Sequence, residues 1–334
     1  MGRESKETRK IAKVTRSSAG GASSCKAIRK FETMNIADRR EYAASHSEKR
    51  IFGSTTLLVG DARSMNLPAS SVHLVVTSPP YFNIKDYAGG NEKQLGSIMY
   101  FNEFVAEMAK VISECFRVLV PGGRLCLNVG DICLSRKVHG RHRVLPLHAY
   151  LEVAMQEAGF DLLAPIIWAK IGNASREAGG AGGFLGKPYE PNAVIKNDIE
   201  YILIAKKPGP YRSPSEQQRL SSMIGKDEFK DLFRQVWTFP GTSTKTGHPA
   251  PFPEELPRRL VTMYSFAGDV VLDPFMGSGT TALAACKLGR QAIGIDCVER
   301  FVDMAATRLV KAGIETKLDG GKEMKSIVEI EPAR

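Results

Sequence analysis

The chain has 334 residues, 43% of them hydrophobic, enough to bury a large core in one α/β domain with an insertion or in two unequal domains. No apolar run approaches the length of a bilayer span, and the opening residues mix Lys and Arg with Glu4 and Glu7 without an apolar segment, which argues against a secretory signal and predicts a soluble, cytoplasmic protein. The net charge of +10 invites a nucleic-acid partner, yet residues 1–50 alone hold 13 Lys and Arg against 6 Asp and Glu, leaving only +3 for the rest, so charge by itself does not establish DNA binding.

Residues 1–48 are rich in Ser, Lys, Arg, Glu and Ala and poor in large apolar side chains, which reads as a mobile basic arm. Thr55 to Val59 is a β-branched, Leu-rich strand closing at Gly60-Asp61. A second strand, Val72 to Val76, runs straight into Thr77-Ser78-Pro79-Pro80-Tyr81. Two consecutive prolines hold the main chain extended and remove two N–H donors, which leaves carbonyl oxygens, a hydroxyl and an aromatic face at the carboxyl end of a strand. Open α/β sheets place their ligands at such ends.

Apolar residues at helical spacing predict a helix over Phe101 to Val118, stopping before Pro121-Gly122-Gly123, and Arg124 to Val129 is the next strand, closing at Gly130-Asp131. Asp131 reads either as a cofactor or substrate contact or as a turn-stabilising carboxylate, with the second favoured. Leu147 to Gly159 is a further amphipathic helix, followed by strands at Leu162 to Trp168 and Ile199 to Ala205. The glycine-rich segment between those strands, Gly172 through Gly183, is either a cover over a substrate or a tolerated surface loop. From Lys206 to Thr246 prolines, basic residues and the aromatics Tyr211 and Trp237 interleave, which suits an insertion facing a nucleic-acid groove. His248-Pro249-Ala250-Pro251-Phe252-Pro253 then introduces an apolar-striped helix, Glu254 to Ser265. Phe301 to Val310 reads as a last helix, after which the polar remainder frays.

Before that last helix lies the unit around which the chain is arranged. Val270-Val271-Leu272 enters Asp273-Pro274-Phe275-Met276-Gly277-Ser278-Gly279-Thr280-Thr281, and Ala282 to Leu288 forms a helix closed by Gly289. Gly277 and Gly279 let a ligand approach main-chain N–H groups at a helix start, the seat of a nucleotide cofactor. The following strand, Gln291 to Ile295, ends in Asp296, twenty-three residues after Asp273, a spacing that suits the hydroxyl pair of a ribose. The six cysteines, Cys25, Cys115, Cys126, Cys133, Cys286 and Cys297, show no metal-site or redox-pair spacing and read as reduced, buried thiols. None sits in a Gly-rich turn beside the candidate site, so chemistry needing a thiolate nucleophile has no evident agent, and no metal is expected.

Taken together, Ser78-Pro79-Pro80-Tyr81, His248 to Pro253, and Asp273 to Thr281 resemble the amino-methylating DNA methyltransferases, and their order along the chain is similar to that of the β class. The resemblance covers roughly residues 51–312. It implies a circularly permuted Rossmann-like methyltransferase sheet, mostly parallel with helices on both faces, with S-adenosyl-L-methionine as donor and double-stranded DNA as partner. The implied division is an arm over 1–48, a catalytic half over 49–205, a target-recognition insertion over 206–246, a cofactor-binding half over 247–312 and a polar tail over 313–334.

Within that family a Ser at the head of the tetrapeptide is typical of cytosine-N4 methylation and an Asp of adenine-N6 methylation. Some Ser-bearing relatives act on adenine, so the resemblance implies cytosine-N4 methylation at a short defined sequence with adenine-N6 as the alternative, and a cognate restriction endonuclease is a possible partner. The implied catalytic residues are Ser78, Pro79, Pro80 and Tyr81, the last stacking on a flipped base. The implied cofactor residues are the turn Asp273, Pro274, Phe275, Gly277, Ser278, Gly279, Thr280 and Thr281, with Asp296 at the ribose, Asp61 at the adenine amine, and His248 and Phe252 beside the methionine end. A dinucleotide-dependent oxidoreductase is the reading from another class. It wants Gly or Ala where Thr281 stands and leaves Ser78 to Tyr81 unexplained. A catalytically silent DNA-binding protein is a third.

Overall fold

The computed structural model describes residues 53–80, 82, 94–134, 136–170, 191, 195, 197–242, 252–318 and 323–324. The basic arm, the glycine-rich segment 171–190, Tyr81 and His248 lie outside them.

The elements run β1 (Thr55–Val59), β2 (Val72–Thr77), α1 (Phe101–Val118), β3 (Leu119–Val129), β4 (Ile132–Leu134), α2 (Arg136–His139), β5 (Arg143–Leu145), α3 (Leu147–Glu157), β6 (Asp161–Ala169) and β7 (Ile199–Lys206). They continue with α4 (Glu216–Ser221), α5 (Lys226–Leu232), β8 (Val236–Thr238), α6 (Glu255–Tyr264), β9 (Val270–Asp273), α7 (Thr280–Lys287), β10 (Gln291–Asp296), α8 (Glu299–Lys311), β11 (Thr316–Leu318) and β12 (Glu323–Met324). Ten strands form one sheet in the order β12-β11-β1-β10-β9-β2-β3-β7-β6-β8, and β4 and β5 make a separate hairpin. From β11 through β1, β10, β9 and β2 to β3 every pairing is parallel, whereas β7 runs antiparallel to both β3 and β6.

The period-two pattern of the central strands divides the core between two faces. Val75, Leu125, Leu127 and Leu203 pack with α1 and α3, through Phe104, Met108, Ile112, Leu147 and Leu151. Their neighbours Leu74, Val76, Cys126, Ile202 and Ile204 belong to the opposite cluster, with Leu260 of α6, Leu283 of α7 and Ala305 and Leu309 of α8. Covering both faces explains why these strands read as near-continuous apolar runs.

Strand β9 leads through α7 to β10 on one side, while its other neighbour, β2, leads through α1 to β3 on the other. The connections diverge between β9 and β2, which opens a crevice above their carboxyl ends.

The structure corrects two expectations. The polar remainder does not fray directly after the last helix: Ile314 and Thr316 are buried, and β11 pairs in parallel with β1. The stretch after β7 is also less of an insertion than its composition suggests. Lys207 Nζ donates to the carbonyls of Phe116 and Leu119 at 2.7 Å, closing the end of α1, and Arg212 grips the buried Asp269 through two bonds of 2.5 Å. Trp237 is fully buried beside β6 and donates from its ring to Leu232 O at 3.0 Å. Three residues expected to face a groove are thus structural, because a long cationic or aromatic side chain can satisfy buried carbonyls and carboxylates as readily as it meets a phosphate. Tyr211 does stand out into solvent, 86% exposed, with Lys206 Nζ 5.1 Å from its ring.

Candidate active site

The turn between β9 and α7 is shaped mainly by its own main chain. Gly277 and Gly279 have φ of 51° and 75°, in the left-handed region that L side chains avoid. A Cβ on Gly279 would also meet Ala305 Cβ of α8 at 2.9 Å, so helix packing and backbone conformation demand glycine together. Met276 N donates to Ile295 O at 2.9 Å, tying the turn to β10, and Arg308 Nη1 reaches Ser278 O at 3.2 Å and Thr280 Oγ1 at 2.9 Å from behind. Gly294 takes part as well: a Cβ there would run into the Met276 side chain, and a glycine inside a strand is the one sequence signal that could have pointed to this close approach.

Two carboxylates fix the turn. Asp296 Oδ2 accepts from Gly277 N at 3.0 Å and Oδ1 from Val298 N at 2.9 Å, so the end of β10 holds the turn open by main-chain donors. Burial raises the Asp296 pKa against the pull of those two N–H groups. Asp273 is fully buried, and burial pushes its carboxyl up to about 6, opposed chiefly by the Thr77 hydroxyl. Its Oδ1 accepts from Thr77 Oγ1 at 2.6 Å and from Phe275 N at 3.0 Å. The first of these bonds joins segments 196 residues apart: it locks the end of β2, just before Ser78-Pro79-Pro80, against the end of β9.

The resulting cleft encloses about 880 Å³ of solvent-open space. Ser78, Pro79 and Pro80 line it opposite Pro274, Phe275, Gly277, Ser278 and Thr280, with Asp61, Phe252 and Asp296 at its other walls. Three residues expected at the cofactor do not line it. Asp273, Gly279 and Thr281 stand behind the wall, where Asp273 and Thr281 are each 1% exposed. Asp61 is in the cleft, but its carboxylate is already gripped by Arg63, whose Nε and Nη2 donate at 3.0 and 2.7 Å while Nη1 holds Glu107 at 2.7 Å. Asp131 receives His148 Nδ1 at 2.7 Å and His148 N at 3.2 Å, the turn-holding part the sequence suggests.

Several lining residues escaped sequence reasoning. Gln94, Leu95 and Gly96 come from a short 3-10 turn without a motif, and Phe301 looks like plain helix core. Cys297, outside the Gly-rich turn, follows Asp296 into the cleft wall. Burial and the neighbouring Asp296 push its thiol up to about 11, so at neutral pH it is protonated and offers no thiolate. Cys133 is exposed and not buried as expected, whereas Cys115, Cys126 and Cys286 are buried. Among the described residues no three His, Cys, Asp or Glu side chains are placed to hold a metal ion, and no helix is long and apolar enough to cross a membrane.

A mostly parallel sheet flanked by helices, with its crevice over the ends of β9, β10 and β2, is the Rossmann-like architecture of the S-adenosylmethionine-dependent methyltransferases, permuted so that the proline-bearing strand end precedes the cofactor turn in the chain. The N6 and N4 family model described as DNA methylase matches residues 72–307, and the chain belongs to that family: it is a DNA amino-methyltransferase. It is 36% identical over 296 residues to the type II methyltransferase M.MjaI of Methanocaldococcus jannaschii, across 79% of this chain and 93% of that one. Among solved structures it is similar to TTHA0409 of Thermus thermophilus, a putative DNA modification methylase complexed with S-adenosyl-L-methionine. That match has 44% identity, a TM-score of 0.66, and coverage of 80% of this chain and 99% of the other. The PvuII cytosine-N4-specific DNA methyltransferase shares the fold at a TM-score of 0.55 and 20% identity, over 77% of this chain and 86% of that one.

Proposed function

We propose that the protein transfers a methyl group from S-adenosylmethionine to the exocyclic N4 amine of a cytosine rotated out of double-stranded DNA. The observation that carries this reading is the joining of the Ser78-Pro79-Pro80 strand end to the glycine turn across one cleft, through Thr77 and Asp273. The residues present suit the donor. Glycines bare the main chain at the start of α7, Asp296 stands at the end of the next strand with further acceptor capacity on each oxygen, and the relative solved with S-adenosyl-L-methionine is 44% identical.

The donor supplies an electrophilic methyl on a sulfonium sulfur. The protein's task is then to make a poor nucleophile attack it. An exocyclic amine has its lone pair delocalised into the ring until acceptors on its two hydrogens draw the nitrogen toward tetrahedral geometry. The Ser78 hydroxyl and the Pro79 carbonyl are the acceptors, fixed in place by two prolines as positive charge develops on nitrogen. With the donor bound, the amine would attack its methyl directly, the C–S bond breaking to leave a neutral thioether and one amine proton leaving to solvent through the open cleft, without a covalent enzyme intermediate, in keeping with the protonated state of Cys297.

The amine is out of reach inside a duplex, so the base must leave the stack, and Tyr81 is the stacking partner that the tetrapeptide offers. Such stacking is worth about 1–3 kcal/mol per base. Ser at the head of the tetrapeptide supports cytosine over adenine. The exposed part of residues 206–242, with Tyr211 and Lys206, is the surface that reads the flanking sequence.

The test is nucleoside analysis of unmethylated DNA after incubation with labelled donor. Label in N4-methylcytosine is the expected result, and label confined to N6-methyladenine would reject the base assignment while leaving the reaction class intact.

A further inference from the structure

The Ser78 hydroxyl is not free in the cleft. Its Oγ donates to the main-chain oxygen of Asn128 at 3.1 Å. A hydroxyl has one hydrogen to give and two lone pairs to receive with. Once the hydrogen is committed to a carbonyl, only acceptor capacity is left, which is what an amine with two N–H bonds requires. The Asn128 carbonyl therefore sets the rotor of the side chain that the proposed mechanism relies on.

Asn128 is itself held from β7. Strands β2 and β3 pair up to Thr77 opposite Leu127, so Asn128 lies one residue past the last rung on the Ser78 side, while on its other side β3 stays paired with β7, Asn128 opposite Ile202 and Val129 opposite Tyr201. Its side chain, in a residue only 1% exposed, adds a second tie to the same strand: Nδ2 donates to Glu200 Oε2 of β7 at 2.6 Å. Glu200 is itself 5% exposed, and its Oε1 receives Lys170 Nζ from the end of β6. Lys170 in turn sits 4.9 Å from the ring of the buried Trp168. A carboxylate this deep is tolerable only with a cation and hydrogen bonds around it, and a buried pair of this kind is a costly way to gain stability compared with apolar packing. Its value lies elsewhere.

We infer that Glu200, braced by Lys170, is a positioning residue for methyl transfer: through the Asn128 side chain it holds the carbonyl that orients the Ser78 hydroxyl as an acceptor. This rests on the reading of Ser78 given above. It places three residues, from β3, from β7 and from just past the end of β6, none of them in a recognisable motif, behind the reacting group.

The test is a set of double-mutant cycles, read as single-turnover methyl transfer from tritiated S-adenosylmethionine to PCR-amplified genomic DNA, beside equilibrium binding of the donor. Asn128→Asp sets a second carboxylate against Glu200, and the transfer rate falls by about tenfold or more while donor affinity stays within about twofold. Adding Glu200→Gln restores a donor–acceptor pair of reversed polarity and recovers most of the rate, which a merely structural defect would not show. In a Ser78→Ala background Asn128→Asp costs little further, because the hydroxyl it acts through is gone. Absence of rescue, or the same tenfold loss with Ser78 removed, overturns the positioning role. An unchanged rate in Ser78→Ala by itself sinks the reading of Ser78 as an amine acceptor, and this inference with it.

Discussion

The two walls of the cleft are held by different means. The cofactor turn is kept in shape by main-chain hydrogen bonds, glycine conformations and close helix packing, with Asp296 serving two backbone N–H groups. The wall carrying Ser78 depends on side chains that belong to other strands: Thr77 on Asp273, and Asn128 on Glu200. A backbone-built site withstands many changes of side chain but not of glycine. A side-chain-built site is vulnerable to single polar substitutions far away in sequence. Binding of the donor and chemistry on the base should therefore separate under mutation.

The largest expected effect is on the chemical wall. Ser78→Ala should lower the single-turnover transfer rate by about 10²–10³, the usual cost of one lost donor or acceptor at a reacting centre, with donor binding unchanged by calorimetry. A parallel loss of donor affinity would erase the separation between the walls. On the other side Asp296→Ala strips the acceptors from two main-chain N–H groups, each such loss costing about 1–3 kcal/mol. Donor affinity should fall by about tenfold to a hundredfold, and the transfer rate at saturating donor should change far less. Unchanged affinity would remove Asp296 from the site.

The bond between the walls has a pH signature. The Asp273 carboxyl is held up at about 6 in the folded protein against an ordinary value of 3.8, so between those values the folded chain keeps a proton that the unfolded chain has lost. Stability is therefore lost as pH rises from about 4 to about 6, by up to about 3 kcal/mol. Asp273→Asn keeps an acceptor for Thr77 and cannot ionise. Its stability relative to wild type, from urea unfolding at pH 4 and pH 7, should rise with pH. The lowered carboxyls of Glu107, Glu114 and Glu255 act in the opposite direction in both proteins and cancel in the difference. A flat difference would mean that Asp273 ionises normally.

The smallest effect tests the glycine argument. Gly279→Ala combines a positive φ with a methyl against Ala305, and should cost about 1–3 kcal/mol by thermal unfolding. If the melting temperature holds, the turn is less tightly packed on α8 than its geometry states.

Much of the fold was legible because it is locally written. Helix α1 and strand β1 fall where apolar periodicity places them, and β2, β9 and β10 differ from their sequence spans by one residue each. Short elements were not legible: the β4–β5 hairpin, α4, α5 and β8 carry too few residues for a period to show, and they form because a larger body is there to receive them. The basic stretch after β7 misled for the related reason that composition records charge but not its partner, and Arg212 has a buried one in Asp269.

The sequence by itself determined the materials of the site: two glycines where a chain must turn, two prolines after a strand, and an aspartate at the end of the next strand over. Periodicity and turn chemistry act within a few residues, so these could be read directly. Only the tertiary structure decided the meetings. That Thr77 bonds Asp273, that Cys297 enters the cleft, that Asp273 and Thr281 stand behind the wall, and that Glu200 reaches Asn128 all follow from which strands lie side by side. Strand order is fixed by the packing of the whole core over both faces of the sheet, and no local run of residues contains that information.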